Sequence, residues 1–131
     1  MAPALAQAAP LTAVVTNVCS DKGTVMLSVY VGPDWLEEHT DGRDFQQPAH
    51  KGETVFHLDL PPGTYAAATY HDANGNGKFD KNVLGWPREG FGFSNNATVL
   101  FFTPPSFAQA SFELPPEGAA VYLPMAYWSG C

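Results

Sequence analysis

A chain of 131 residues makes one domain, large enough to bury about two thirds of its unfolded surface. A net charge of −7 with only six Lys and Arg argues against nucleic acid and against anionic membrane surfaces. No apolar run approaches the roughly 18 residues of a spanning helix, and Gly and Pro fall in clusters between apolar runs, as turns do.

Residues 1–10, MAPALAQAAP, read as a signal-peptide remnant or a disordered N-terminal tail, with Ala4-Leu5-Ala6 fitting a cleavage pattern. The expectation is therefore a secreted or periplasmic protein whose single domain spans 11–131. Leu11–Val18 is rich in Val and Thr and predicts a strand. Asp21-Lys22-Gly23 predicts a tight turn into Thr24–Val31, so the two strands should form a hairpin. In the second strand Val25, Leu27, Val29 and Val31 point one way and Thr24, Met26, Ser28 and Tyr30 the other. Residues 32–52 show no strand pattern, although Pro33–Glu38 could make one helical turn.

Glu53–Leu60 alternates again, with Thr54, Phe56, Leu58 and Leu60 on one face and Val55, His57 and Asp59 on the other. After Pro61-Pro62-Gly63 the chain returns through Thr64–Tyr70, a strand of small residues on which Tyr65, Ala67, Thr69 and His71 share a face. Residues 84–96 read as a long loop of alternating Gly and aromatics. Ala97–Thr103 predicts an apolar strand, Ser106–Ala110 a helical turn, Ser111–Leu114 a short strand and Ala119–Trp128 the last strand, with Pro124 marking a kink or an edge. About seven short strands with almost no helix predict an all-β fold, an antiparallel immunoglobulin-like or transthyretin-like β-sandwich. In such sandwiches the first and last strands often run side by side in parallel. Cys19 and Cys131, the only cysteines, would then end at one pole and pair in an oxidising compartment, the alternative being two free thiols.

The stretch His71–Asp80 carries the sharpest chemical signal. Asp72, Asn74, Asn76 and Asp80 occupy positions 1, 3, 5 and 9 of a calcium loop, and Lys78 would give its carbonyl at position 7. Val83 stands where a bidentate Glu belongs, so Glu89 or a carbonyl near Asn95 or Asn96 would have to complete the shell. With two charged ligands, affinity for Ca²⁺ should be weak, of order 10⁻⁴–10⁻³ M, and the role structural. The plainer alternative is a Gly/Asn-rich turn between strands.

Other chemistries are weaker. A hydrolytic triad could be drawn from Ser94 or Ser106 with His71 and Asp72 or Glu89, but no nucleophile-elbow pattern surrounds either serine. A copper site could be drawn from His39, His50, His57, Asp59 and His71 with Met26 and Met125, yet no close His-x-His spacing supports it. Trp86, Phe91 and Phe93 could form a platform for a small planar ligand, or cap the open end of the sandwich as a satellite core.

The runs Leu60-Pro-Pro-Gly-Thr-Tyr65, Tyr70-His-Asp-Ala-Asn-Gly-Asn-Gly-Lys-Phe-Asp80, Gly90-Phe-Gly-Phe-Ser-Asn-Asn96 and Pro104-Pro-Ser-Phe107 resemble domain-of-unknown-function family 2141, small exported bacterial proteins. The resemblance covers about residues 11–128. It implies an exported single-domain sandwich and no activity. The combined expectation is a non-enzymatic exported sandwich whose Ca²⁺ loop orders the aromatic loop for a protein or glycan partner. The alternatives are a small-ligand carrier and a copper-binding periplasmic protein.

Overall fold

Period-two alternation decides which side chains of each strand meet across the molecule. The computed structural model describes residues 8–32, 35–36, 43–72, 90–97 and 105–127. Strand β1 (Ala9–Val18) turns Ala9, Leu11, Ala13 and Val15 inward. It lies between β4 (Gly52–Leu60), which buries Thr54, Phe56, Leu58 and Leu60, and β8 (Ala119–Pro124), which buries Val121 and Leu123. Because Ala9 is buried and pairs with Leu60, the last two residues of the expected tail belong to the sheet.

The second sheet is centred on β2 (Thr24–Tyr30) and β5 (Gly63–Asp72), with β3 (Asp44–Pro48) at the outer edge of β2. Its inner face brings Val25, Leu27 and Val29 together with Tyr65, Ala67, Thr69 and His71, as the alternation predicted. The far edge of β5 is shared by two short strands. β7 (Ser111–Leu114) pairs with its first residues and β6 (Phe91–Phe93) with Ala68–Tyr70. The two inner faces form one core in which Phe56, Leu11, Leu27 and Leu123 are fully buried.

The protein is thus an all-β sandwich with eight strands among the described residues. β1 and β8 run parallel, from Leu11↔Ala119 to Thr16↔Pro124. The expected β1–β2 hairpin is corrected, because β1 and β2 lie in different sheets. Both strands are apolar on one face, so they gain more by packing those faces together than by lying side by side. A register shift between Thr16 and Val18, with Asn17 at φ 60, turns the chain toward the other layer. β3 was not foreseen, since a half-exposed polar edge strand shows no hydrophobic alternation. Likewise β8 ends at Pro124 rather than at Trp128, as a residue without an N–H dictates. The strand expected at 97–103 lies outside the described residues beyond Ala97, as does most of the turn expected at 33–38.

Outside the second sheet a satellite cluster forms around Trp35. Its ring packs against Tyr30 at 5.1 Å, Phe107 at 6.0 Å and Phe93 at 6.1 Å, and its indole N–H donates to the Pro105 carbonyl at 2.9 Å. Phe107 begins α1 (Phe107–Ala110), whose start is held reciprocally by Ser106 and Gln109.

Truncating Phe56 to Ala should cost about 3–5 kcal/mol in urea unfolding, because the core cannot close over the missing ring. Tyr122→Ala, on the outer face of the first sheet and 58% exposed, should stay within about 0.5 kcal/mol of the parent.

Candidate functional site

At the pole where β5 ends, two titratable side chains leave solvent together: His71 is 1% exposed and Asp72 is 2% exposed. In the ladder they stand opposite Val25 and Thr24 at the start of β2. On the other side the His71 N–H donates to the Gly90 carbonyl at 2.8 Å. The described residues on either side of 73–89 are therefore hydrogen-bonded neighbours.

The imidazole of His71 is fully committed. Nε2 lies 2.6 Å from the Lys22 carbonyl, which can only accept, so Nε2 carries the hydrogen. With that tautomer Nδ1 accepts from the Tyr127 hydroxyl at 2.8 Å. The same hydroxyl accepts from the Cys19 N–H at 2.8 Å, and the two rings meet edge to face at 5.9 Å. The ring thus ties together the β1–β2 turn, the end of β1 and the segment after β8.

Two glycines let that last segment approach. A Cβ on Gly90 would meet the Tyr127 ring at 2.5 Å, and one on Gly92 would run into the Pro124 carbonyl. Between them Phe91 exchanges backbone hydrogen bonds with Ala126 at 2.7 and 3.0 Å. Met125 is fastened beside it, its N–H to the Thr16 carbonyl at 2.8 Å and its carbonyl to the Asn17 side chain at 2.7 Å. The alternating Gly and Phe expected to form a loop make a strand instead. Glycines face the chain end, and phenylalanines face the satellite cluster.

Of the expected calcium ligands, Asp72 stands at this pole; Asn74, Asn76, Lys78 and Asp80 lie outside the described residues, as do Val83 and Glu89. The suggestion that Asn95 or Asn96 completes the shell is corrected. Phe93 pairs with Ala68, four residues and roughly 13 Å from Asp72, and the chain then runs farther away. A ligand must sit within about 2.6 Å of the ion. Asn95 instead donates to the Gln109 carbonyl at 3.0 Å.

The residues drawn into a triad are not brought together. Ser94, fully buried, accepts from the Ala67 N–H at 2.8 Å and donates to the Ala110 carbonyl at 2.5 Å, filling the gap where β6 gives way to β7 along β5. Ser106 caps α1. Neither bonds to His71, and Glu89 is outside the described residues. The copper candidates are scattered: His50 and His57 are exposed, Met125 is in the core, and His39 is not described. Among the described residues no three His, Cys, Asp or Glu side chains gather as metal ligands. Phe93 is buried in the satellite cluster and Phe91 packs beside it at 6.2 Å, while Trp86 lies outside the described residues.

Tyr127 is what the sequence reading missed, because nothing local links it to a histidine 56 positions earlier. Burial pushes its phenol above the usual 10.0, and the Cys19 N–H at its oxygen pulls the other way. The folded state therefore keeps this proton to higher pH than the unfolded chain. Its contribution to stability is intact below pH 10 and is lost as pH climbs through the folded value.

A family model described as "Uncharacterized protein conserved in bacteria (DUF2141)" matches residues 13–121. No curated protein and no solved structure matches the chain.

Tyr127→Phe should lower stability by about 1–3 kcal/mol in urea unfolding, because Nδ1 of His71 and the Cys19 N–H both lose their partner. Between neutral pH and pH 11 the variant's melting temperature should also fall less steeply than the parent's. Part of the slope remains, because burial raises Tyr65 as well.

Proposed function

The chain belongs to the bacterial DUF2141 family, and we propose that it is a non-enzymatic, exported β-sandwich whose oxygen-rich loop at 72–80 holds a structural Ca²⁺. The ion orders the following segment, with Trp86 and Phe91, as a surface for a protein or envelope-glycan partner. One observation carries this reading: Asp72, first of the calcium-loop positions, is 2% exposed at the foot of the loop. A carboxylate is costly to withdraw from water unless charge or hydrogen bonds offset the loss. Asp72 interacts within the protein, as carboxylates that ligate metals commonly do. Its backbone is fixed beside a fully hydrogen-bonded His71, so one ligand oxygen would be held in position before the ion arrives.

The donor set fits a hard cation. Asp72, Asn74, Asn76, the Lys78 carbonyl and Asp80 offer oxygen only, and this is calcium chemistry rather than copper chemistry. When bound, the ion would neutralise the two carboxylates that otherwise repel across nine residues. The −7 net charge suits a cation and disfavours a polyanionic partner. No helix among the described residues is long and apolar enough to cross a membrane.

Export and a Cys19–Cys131 disulfide belong to the same proposal. There is no free cysteine among the described residues. Cys19 also bonds through its N–H to Tyr127, four residues before Cys131, a reach of at most about 14 Å. A bridge closing nearly the whole chain would stabilise it by about 4–5 kcal/mol on the chain-entropy account.

In 10 mM calcium, about 100 Kd if Kd is near 10⁻⁴ M, the melting temperature should rise by about 10 °C over chelator-treated protein. Magnesium should not substitute, and Asp80→Asn should abolish the rise. Parent and Asp80→Asn melting alike in calcium and in chelator would remove the ion from the reading.

A further inference from the structure

β4 is nine residues long, and among the described residues it pairs on one side only, with β1. Free edges are ordinarily blunted by a proline, a bulge or shortness. β4 has no proline, and its one register irregularity is confined to its first residue, opposite Val18. Its outward row is Glu53, Val55, His57 and Asp59, all exposed, with Lys51 immediately ahead of the strand.

This row is complementary to itself. Two copies of β4 laid antiparallel about a two-fold axis through Val55 place Val55 opposite its own counterpart. Glu53 then faces His57 of the second copy. Symmetry repeats each contact. Moving the axis one residue on, to Phe56, sets Glu53 against Asp59, and moving it to His57 sets imidazole against imidazole. An axis between residues would oppose inward to outward side chains, which the pleat forbids. The Val55 register puts acid opposite base with an apolar pair, 38% exposed in one copy, on the axis.

We propose that the protein associates with a second copy of itself by antiparallel β4–β4 pairing centred on Val55, joining two three-stranded sheets into one continuous sheet. Main-chain hydrogen bonds supply the attraction and the acid–base pairs set the register. Edge pairing buries less than a standard interface, so the dimer is reversible and concentration-dependent.

Sedimentation velocity from micromolar to millimolar protein tests this. The parent should pass from the 14.1 kDa chain toward twice that mass. Val55→Lys puts like charges on the axis, and His57→Glu opposes Glu53 with a second acid. Each should weaken association roughly tenfold or more, and Glu53→Lys combined with His57→Glu should restore it. These side chains are exposed, so each variant should keep the parent's thermal melt at a dilution where all are monomeric. A parent that stays monomeric throughout overturns the proposal. So does association that both single variants leave unchanged, or that the charge exchange fails to recover.

Discussion

One imidazole, sealed inside the pole with both nitrogens engaged, decides where the surrounding segments stop. Leaving either nitrogen of His71 without a partner in that setting would cost about 1–3 kcal/mol. The Lys22 carbonyl and the Tyr127 hydroxyl must therefore be delivered to it, and each comes from a different part of the chain. Their delivery fixes the β1–β2 turn above the core and draws the segment after β8 across the end of β6. Because the His71 main chain also holds Gly90, the long excursion through residues 73–89 starts and finishes at one fixed place.

The alternating strands were legible because each has one face in the core and one in water. β2, β4 and β5 place their inward residues where the period of two puts them, and the parallel neighbourhood of β1 and β8 follows from the sandwich class. What local pattern could not convey was which layer a strand joins. Asp21-Lys22-Gly23 has turn chemistry suited to a hairpin, yet the choice between lying beside β2 and packing over it is made by distant residues such as Phe56 and Leu123. The Phe91–Phe93 strand was masked by its composition, although its strict alternation was itself the signal. At the site, Asp72 was singled out by its spacing from other oxygen-bearing residues, and it is buried. The engagement of His71 was not, since its partners lie 49 and 56 positions away.

Ser94 shows how a residue that looks chemically available can be a structural one. The far edge of β5 has two short partners instead of one long one, and the ladder breaks between them at Ala67. A buried main-chain amide there needs an acceptor. The Ser94 hydroxyl provides it while giving its own hydrogen to Ala110. A side chain small enough for the gap and able both to accept and to donate is what that break calls for, and serine meets the need.

The parallel alliance of β1 with β8 has a kinetic meaning. Asn17 grips the Met125 carbonyl across 108 positions of sequence, so the first strand lacks one of its neighbours until β8, more than a hundred residues later, has been made. Contacts of such separation pay their loop-closure entropy before they return anything, which places sandwiches of this kind among the slow folders, roughly milliseconds to seconds. During that interval the flank of β1 stays open to mispairing, and it is the arrival of β8 that ends it.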